Sequence, residues 1–238
     1  MRKGTAGFLF AILCLTVITW GGLSGNAQAG EAVKTEAPAS NDSGFYDRIM
    51  SLLKAPPKLE VPAQSSVVER RETPIFGAPE VTKDQLIRFI RRTNPLPRLA
   101  CSLEELVDLY YEEATAEGIR PDLALGQAVL ETGYFRYGGD VVPEQNNYAG
   151  IGTTGNGEPG VWFDSPRIGV RAHIQHLLVY ATTREPLKPI VDPRYYIARE
   201  IHLAQCPTWE SLSGKWAVPG VNYGQKILSL LEYVKNGK

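Results

Sequence analysis

Apolar residues recur at the three- and four-residue spacing of an amphipathic helix in five segments of the chain. Two of the predicted helices follow Thr82 and Ser102, each of which has a Gln or Glu three residues later, as in a capping box. A third begins at Pro121, because proline is favoured in the first turn. Two more are predicted over residues 169–180 and 222–234, joined by an aromatic-rich connection.

Residues 138–164 lack helical periodicity and contain seven glycines. This composition predicts loops and a short hairpin. The pattern as a whole therefore predicts an α+β fold that is mainly α, with a small irregular or β lobe inserted after the third helix.

The first 29 residues have the pattern of a secretory signal peptide. Arg2 and Lys3 precede an apolar stretch that is shorter than the ~20 residues needed to span a bilayer. Small residues at Ala27 and Ala29 suit cleavage after Ala29, and Cys14 lacks the small neighbour that a lipoprotein signal requires. We therefore expect a secreted protein with no stable membrane anchor after cleavage.

Residues 30–80 are rich in Ala, Pro, Ser and Glu and contain six of the 17 prolines. Such a segment cannot bury enough apolar surface to offset the entropy of ordering it, so it is predicted to be a largely disordered linker. Within it, residues 45–54 carry apolar side chains at helical spacing, which suits either a docking helix or a transient one. Residues 81–238 form the predicted folded domain.

The charges are nearly balanced, with 25 Lys and Arg against 26 Asp and Glu. A net charge of −1 provides no field that would gather nucleic acid, so nucleic-acid partners are not expected. The glycine-rich run at residues 150–157 lacks the Gly-Lys-Ser/Thr ending of a phosphate-binding loop. No cofactor is expected.

Cysteine and histidine are sparse. After removal of the signal segment Cys101 and Cys206 remain, an even count that is compatible with a disulfide outside the cytoplasm, with two separate buried thiols as the alternative. His173 and His176 lie three residues apart on a predicted helix, a spacing that could share a metal ion. Because neither an HExxH motif nor a cysteine pair accompanies them, no metal site is expected.

Glu131 is the first candidate for chemistry, because it lies in the last turn of an otherwise apolar helix. Partial burial and the negative end of the helix dipole both disfavour its anion, so its pKa is predicted to be raised. A raised pKa is what a general acid at a glycosidic oxygen requires. The alternative is an ordinary surface glutamate near a helix end.

Four motifs occur in an order and spacing that resemble the glucosaminidase family of peptidoglycan hydrolases, glycoside hydrolase family seventy-three. The motifs are ALGQAVLETGYF at residues 124–135, NNYAGIG at 146–152, FDSPRIGVRAHIQHL at 163–177 and WAVPGVNYGQKIL at 216–228. The resemblance covers about residues 82–236. It implies a lysozyme-like α+β fold with a shortened β lobe and cleavage of the β-1,4 bond after N-acetylglucosamine, by an endo-β-N-acetylglucosaminidase.

The resemblance also implies roles for individual residues. Glu131 matches the catalytic acid, and Asn147 with Tyr148 matches a segment that lines the substrate groove. Tyr223 matches a tyrosine that faces the reaction centre, although a groove-wall aromatic is an equal alternative. Five further aromatic residues are candidates for stacking on sugar rings, some of which must belong to the core: Tyr134, Phe135, Trp162, Phe163 and Trp216.

The second catalytic carboxylate is less clearly indicated, because the β lobe that usually carries it is short here. Glu158 in an exposed glycine-rich stretch is the first candidate, and Asp164 is the second, although Asp164 also suits a helix cap. Asp140 and Glu144 are more distant candidates. A third option is assistance by the N-acetyl group of the substrate, which needs no second carboxylate.

Two other functions remain open at the level of the sequence. A muramidase or lytic transglycosylase would share the fold and the glutamate but cut the other glycosidic bond. A non-catalytic cell-wall-binding module would bind glycan without turnover. In each case the expected partner is the glycan strands of peptidoglycan, and we expect a monomer that is extracellular or associated with the cell wall.

Overall fold

The computed structural model describes residues 72–155 and 157–237. Six α-helices lie in this part of the chain: α1 (Lys83–Thr93), α2 (Leu103–Ala116), α3 (Pro121–Glu131), α4 (Pro166–Ala181), α5 (Arg194–His202) and α6 (Tyr223–Lys235). Two 3₁₀ turns lie at Pro143–Gln145 and Glu210–Leu212. The predicted signal peptide and most of the predicted linker lie outside the described residues. Within the described part, every helix is too short or too polar to cross a membrane.

Helix α3 lies at the centre of the fold, and nine of its 11 residues are buried. It packs against α1, α2 and α6, while α4 packs against α2 and carries α5 on its other side. Leucine, isoleucine and aromatic side chains from these helices and from the segment before the second 3₁₀ turn form the core. Its largest fully buried members include Tyr110, Tyr195, Leu86, Ile90, Leu106 and Leu123 from the helices and Trp209 from that segment. Because α3 is enclosed in this way, its C-terminal end holds a fixed position.

Three of the predicted helix starts are confirmed, whereas α4 begins at Pro166, three residues before the predicted start at 169. Thr82 accepts a hydrogen bond from the backbone of Gln85 and forms the complete capping box, and Ser102 accepts one from Glu105. Pro121 is in the first turn of α3. For α4, however, the N-cap is Ser165, and the exposed Asp164 does not cap it.

Helix α5 was not predicted, and its segment was interpreted as a connection. The helix has nine residues, of which only Tyr195 and Ala198 are buried. A repeat of two buried positions is too short to be recognised as helical periodicity. Its amphipathic pattern becomes visible only once these two residues are seen to pack with Val179 of α4.

The lobe that was predicted after α3 as irregular or β is irregular, because the described residues contain no β-strand and the predicted short hairpin is not formed. Among the described residues between 138 and 164, β pairing is limited to a single bridge from Gly155 to Glu158. Side-chain amides take the place of a strand ladder: Gln145 and Asn147 donate to the backbone carbonyls of Pro159 and Ile151 respectively. These side-chain hydrogen bonds stabilise the loop without a β-sheet.

The folded part begins before the predicted boundary at residue 81. Ile75 is fully buried, and its backbone N–H donates to the carbonyl of Pro207 at 3.0 Å. Single β bridges join Pro74 to Thr208 and Phe76 to Ile119. Residues 73–80 therefore pack against the helical domain rather than belonging to the linker.

Cys101 and Cys206 are both free thiols, which agrees with the alternative of two separate cysteines. Cys206 is fully buried, and its thiol lies 3.2 Å from the carbonyl oxygen of Ser211 as a hydrogen-bond donor. Cys101 is partly buried, and burial raises its pKa to about 11.

Candidate active site

Glu131 is the last residue of α3, and the chain turns sharply after it. The Thr132 hydroxyl donates to the carbonyl of Ala128 at 2.7 Å and accepts from the backbone N–H of Phe135 at 3.0 Å. Gly133 in this turn has a φ of +57°, a left-handed conformation that glycine adopts without strain. The turn directs the chain away and leaves the Glu131 side chain partly buried at the helix end.

Tyr223, the first residue of α6, donates a short hydrogen bond from its hydroxyl to Oε1 of Glu131. The start of α6 approaches the backbone very closely, since a Cβ at Gly224 would lie 2.0 Å from the carbonyl oxygen of Trp209. Only glycine permits this approach. The two residues that the family resemblance assigned to the reaction centre, 92 positions apart in the chain, are thus in direct contact.

The pKa of Glu131 is raised from 4.5 to about 7, as predicted from the sequence. Burial is the larger influence, because a carboxylate removed from water loses hydration. The hydrogen bond from Tyr223 opposes it, because a donor stabilises the carboxylate form. Near neutral pH the carboxyl can therefore both hold and release a proton, which is the property that a general acid needs.

A chain of buried hydrogen bonds leads from this pair into the core. Nε2 of Gln127, one helical turn before Glu131, donates to the Tyr223 hydroxyl at 2.8 Å. Oε1 of Gln127 lies 3.0 Å from Nε2 of His173 on α4, and Nδ1 of His173 lies 2.9 Å from the hydroxyl of Tyr110 on α2. Burial lowers the pKa of His173 to about 3, so its imidazole is neutral.

The two histidines of α4 have different partners and do not share a ligand. His173 belongs to the chain above, and Nε2 of His176 lies 2.9 Å from Oδ2 of Asp192. Among the described residues no group of three or more His, Cys, Asp and Glu side chains is placed to hold a metal ion. Burial favours the neutral acid at Asp192, but the hydrogen bond from His176 and further interactions with His176 and Arg194 outweigh it and lower the pKa.

The structure places Asn147 and Tyr148 inside the protein rather than on a groove wall. Asn147 is 1% exposed, and its amide bonds to both the N–H and the carbonyl of Ile151. Tyr148 is also 1% exposed, and its hydroxyl donates to Asn146 at 3.3 Å. Both side chains thus stabilise the loop that follows the first 3₁₀ turn. This role differs from the contact with substrate that was expected of them.

Among the aromatic residues proposed to stack on sugars, Trp162 is the one with an open face, at 59% exposure. Tyr134 packs against Phe89, and Phe135 is fully buried. Phe163 is buried as well. These three residues therefore belong to the core. The sequence predicted that some of the five aromatic residues would do so but not which ones.

Trp216 is 6% exposed and forms one wall of a pocket of about 320 Å³. Its ring packs against His173 at 5.6 Å and against Tyr180 at 5.1 Å, measured between ring centroids. The pocket is otherwise lined by residues of the 149–154 loop and by side chains of α4 and α5, namely His176, Tyr180, Arg194, Ile197, Ala198 and Ile201. It thus lies beside the hydrogen-bond chain that leads to Glu131.

The candidates for a second carboxylate lie on the surface. Glu158 is exposed in the loop closed by the bridge from Gly155, and Asp164 and Glu144 are exposed as well. Asp140 accepts a hydrogen bond from the backbone N–H of Gly157 at 3.1 Å. Tyr223 is the described side chain that hydrogen-bonds to Glu131, and none of the four carboxylates shares that contact in the described residues.

Gln127 and His173 were not predicted as members of the site. From the sequence Gln127 had no assigned role, and His173 was considered only as a possible metal ligand. The sequence contained a signal for Gln127, because it precedes Glu131 by four residues and two side chains at that spacing lie on one helix face. A polar side chain that is buried on such a face requires a hydrogen-bond partner. The identity of the partners came only from the tertiary structure.

A carboxyl that holds a proton near neutral pH at the end of a buried helix has the property that the general acid of a glycosidase requires. Comparison with known families agrees: the Glucosaminidase family, described as mannosyl-glycoprotein endo-beta-N-acetylglucosaminidase, matches residues 107–236. The chain belongs to this family.

An uncharacterized protein of Borreliella burgdorferi is 39% identical over 128 residues, which cover 52% of this chain and 61% of that protein. The chain thus spans about three fifths of the length of this curated relative. No solved structure matches.

Proposed function

We propose that this protein is a secreted peptidoglycan hydrolase, an endo-β-N-acetylglucosaminidase, with Glu131 as its general acid. The observation that carries the proposal is the partly buried Glu131 carboxyl, whose pKa is raised to about 7 and whose Oε1 accepts the Tyr223 hydroxyl. Membership of the glucosaminidase family supports the choice of an N-acetylglucosaminide bond. The signal-peptide pattern of residues 1–29 supports export toward a cell-wall substrate.

In the proposed reaction protonated Glu131 donates its proton to the glycosidic oxygen as the bond from C1 to that oxygen breaks. The electrons of the broken bond stay with the leaving oxygen, and positive charge develops at C1. Water completes hydrolysis by adding to C1, directly or after an intermediate, and a proton from water returns to Glu131. With Oε1 occupied by Tyr223, Oε2 carries the proton toward the substrate.

The group that stabilises C1 is proposed to be either Glu158 or the N-acetyl carbonyl of the substrate. Glu158 is exposed in a loop whose neighbouring backbone is anchored by Gln145 and Asn147, so substrate binding would have to bring it to C1. The N-acetyl route needs no movement of the protein. Replacing Glu158 by Gln separates the two routes: hydrolysis is abolished in the first and retained in the second.

The test of the proposed function is digestion of purified peptidoglycan by the wild-type protein and by the Glu131→Gln variant, with the fragments reduced by borohydride and identified by mass spectrometry. We expect wild-type fragments that end in reduced N-acetylglucosamine and none from Glu131→Gln. Fragments ending in reduced muramic acid would assign a muramidase, and anhydromuramic ends a lytic transglycosylase. Glycan binding without fragments from the folded wild-type protein would assign a binding module.

The matched control is Glu200→Gln, which makes the same substitution at an exposed glutamate of α5. This variant should digest peptidoglycan as the wild type does. Loss of activity in both variants would show that Glu131 has no special part in cleavage.

A further inference from the structure

We propose that Tyr110, His173 and Gln127 act as positioning residues, forming a one-directional chain of hydrogen bonds that holds the Tyr223 hydroxyl as a donor to Glu131. This chain, from Tyr110 to Glu131, is called the relay below. The inference rests on the proposed function only for its catalytic consequence, since the hydrogen bonds exist without substrate.

The direction of the relay follows from the donor capacity of each member. Gln127 places Nε2, which only donates, 2.8 Å from the Tyr223 oxygen, and this leaves the hydroxyl hydrogen for Glu131. Oε1 of Gln127 only accepts, so Nε2 of His173, at 3.0 Å, must carry a hydrogen.

The same reasoning extends to the far end. A neutral imidazole that is protonated at Nε2 has an acceptor at Nδ1, and Nδ1 of His173 lies 2.9 Å from the Tyr110 hydroxyl. Tyr110 therefore donates. In every hydrogen bond of the relay the donor is the residue nearer to Tyr110 and the acceptor is the residue nearer to Glu131.

Because the members of the relay are buried, the direction of each hydrogen bond affects its neighbours. Tyr110, Gln127 and His173 are all 0% exposed, so water cannot replace a missing partner. If the Gln127 amide rotated, its carbonyl would face Tyr223 and accept the hydroxyl hydrogen, and Glu131 would lose its donor. The tautomer of His173 opposes this rotation, because Nε2–H facing an NH₂ group leaves both without an acceptor.

Few other titratable groups face the relay. Tyr137 and Tyr148 act on Tyr110, and His176 acts on His173 from the same helix. Trp216 packs against the His173 ring and does not titrate. Burial and the Tyr223 hydroxyl are the two influences on the Glu131 pKa within the described part of the chain. Tyr110 does not ionise near neutral pH, since burial raises its pKa well above the ordinary value.

The first measurement is the tautomer of His173, from ¹⁵N NMR of the imidazole nitrogens in the wild-type protein between pH 5 and 8. We expect a neutral ring with hydrogen on Nε2 throughout. Hydrogen on Nδ1, or a charged ring at pH 6, would overturn the proposal, because the relay would then run in reverse or be broken.

The second measurement is the titration of the Glu131 carboxyl by ¹³C NMR in His173→Phe, Tyr223→Phe and the double variant. Loss of the Tyr223 hydroxyl should raise the Glu131 pKa by about one unit. His173→Phe should raise it by a smaller amount, on the order of 0.3 unit, since it weakens that donor without removing it. In the Tyr223→Phe background His173→Phe should add nothing, because the relay acts through Tyr223.

A shift by His173→Phe that persists in the double variant, or no shift in the single variant, would overturn the relay. His202→Phe on α5 is the matched control and should leave the Glu131 titration unchanged. If His173→Phe does not fold, Tyr110→Phe removes only the terminal hydroxyl and tests the same chain by the Glu131 titration, where the pKa should rise by less than in His173→Phe. A shift in Tyr110→Phe that persists in the Tyr223→Phe background would overturn the relay.

These readouts need no substrate, so they decide the relay even if peptidoglycan is not cleaved. Conversely, cleavage with an independent Glu131 titration would support the proposed function and reject the relay. Where activity is present, the high-pH limb of its profile should move with the NMR value in each single variant.

Discussion

The raised pKa of Glu131 has a consequence for stability that can be measured without any substrate. In the unfolded chain the carboxyl has its ordinary pKa of 4.5, and in the folded protein the pKa is about 7. Below pH 4.5 the carboxyl is protonated in both states, so its ionisation does not lower the free energy of unfolding. Between these values the unfolded chain releases a proton that the folded protein keeps, so stability falls as pH rises, and above pH 7 the loss is constant.

Replacing Glu131 by Gln removes this loss, because an amide does not ionise and still accepts from Tyr223. A pKa difference from 4.5 to about 7 corresponds to about 3 kcal/mol. We therefore expect the free energy of unfolding of Glu131→Gln, relative to wild type, to rise by about 3 kcal/mol between pH 4 and pH 8. The inactive variant should be the more stable protein at neutral pH.

The assay is urea unfolding of both proteins, followed by tryptophan fluorescence, at several pH values from 4 to 8. Glu200→Gln serves as the control, since this glutamate is exposed. A stability difference between Glu131→Gln and wild type that stays constant across this range would refute the raised pKa. A difference that grows toward acid pH would mean that the folded protein favours the carboxylate.

Three further outcomes follow from other parts of the structure. Burial favours the neutral acid at Glu113, but hydrogen bonds led by those from Arg171 and Lys188 outweigh it and lower its pKa to about 2. In urea titrations Glu113→Gln should therefore lower the free energy of unfolding at pH 7 by about 3–5 kcal/mol, and this difference should shrink as the pH falls from 4.5 toward 2. Gly224→Ala should lower the melting temperature measured by circular dichroism, because the new Cβ meets the backbone carbonyl that crosses it. Cys101 should react with iodoacetamide at pH 8 more than about 100-fold more slowly than a free cysteine, by mass spectrometry, because burial raises its pKa to about 11.

The sequence predicted what depends on local pattern. Capping residues at Thr82 and Ser102 and the proline at 121 mark helix starts through their own side chains, and the structure confirms all three. The raised pKa of Glu131 was predictable for the same reason, because its position in an apolar helix already indicates burial. In these cases the information lies within a few residues of the feature.

What the sequence did not predict depends on partners far away in the chain. Helix α5 is stabilised by packing on Val179, and Asn147 is drawn inside by carbonyls of residues 151 and 161. Neither the sequence spacing nor the family motif distinguishes a polar side chain that meets substrate from one that holds a loop. His173 is a similar case, because its role depends on Tyr110 and Gln127, which are 63 and 46 residues away.

The contact between Tyr223 and Glu131 also restricts what Tyr223 can do in the proposed reaction. Its hydroxyl hydrogen is given to Glu131, and one lone pair of its oxygen accepts from Gln127. Because its hydrogen is held by Glu131, the Tyr223 hydroxyl cannot also donate to the leaving oxygen, so Tyr223 is not a second acid in the proposed reaction. As Glu131 gives up its proton in the proposed reaction, the hydrogen bond from the Tyr223 hydroxyl becomes charge-assisted and therefore stronger, which stabilises the carboxylate that forms. In the proposed reaction the hydroxyl therefore assists the acid that loses a proton.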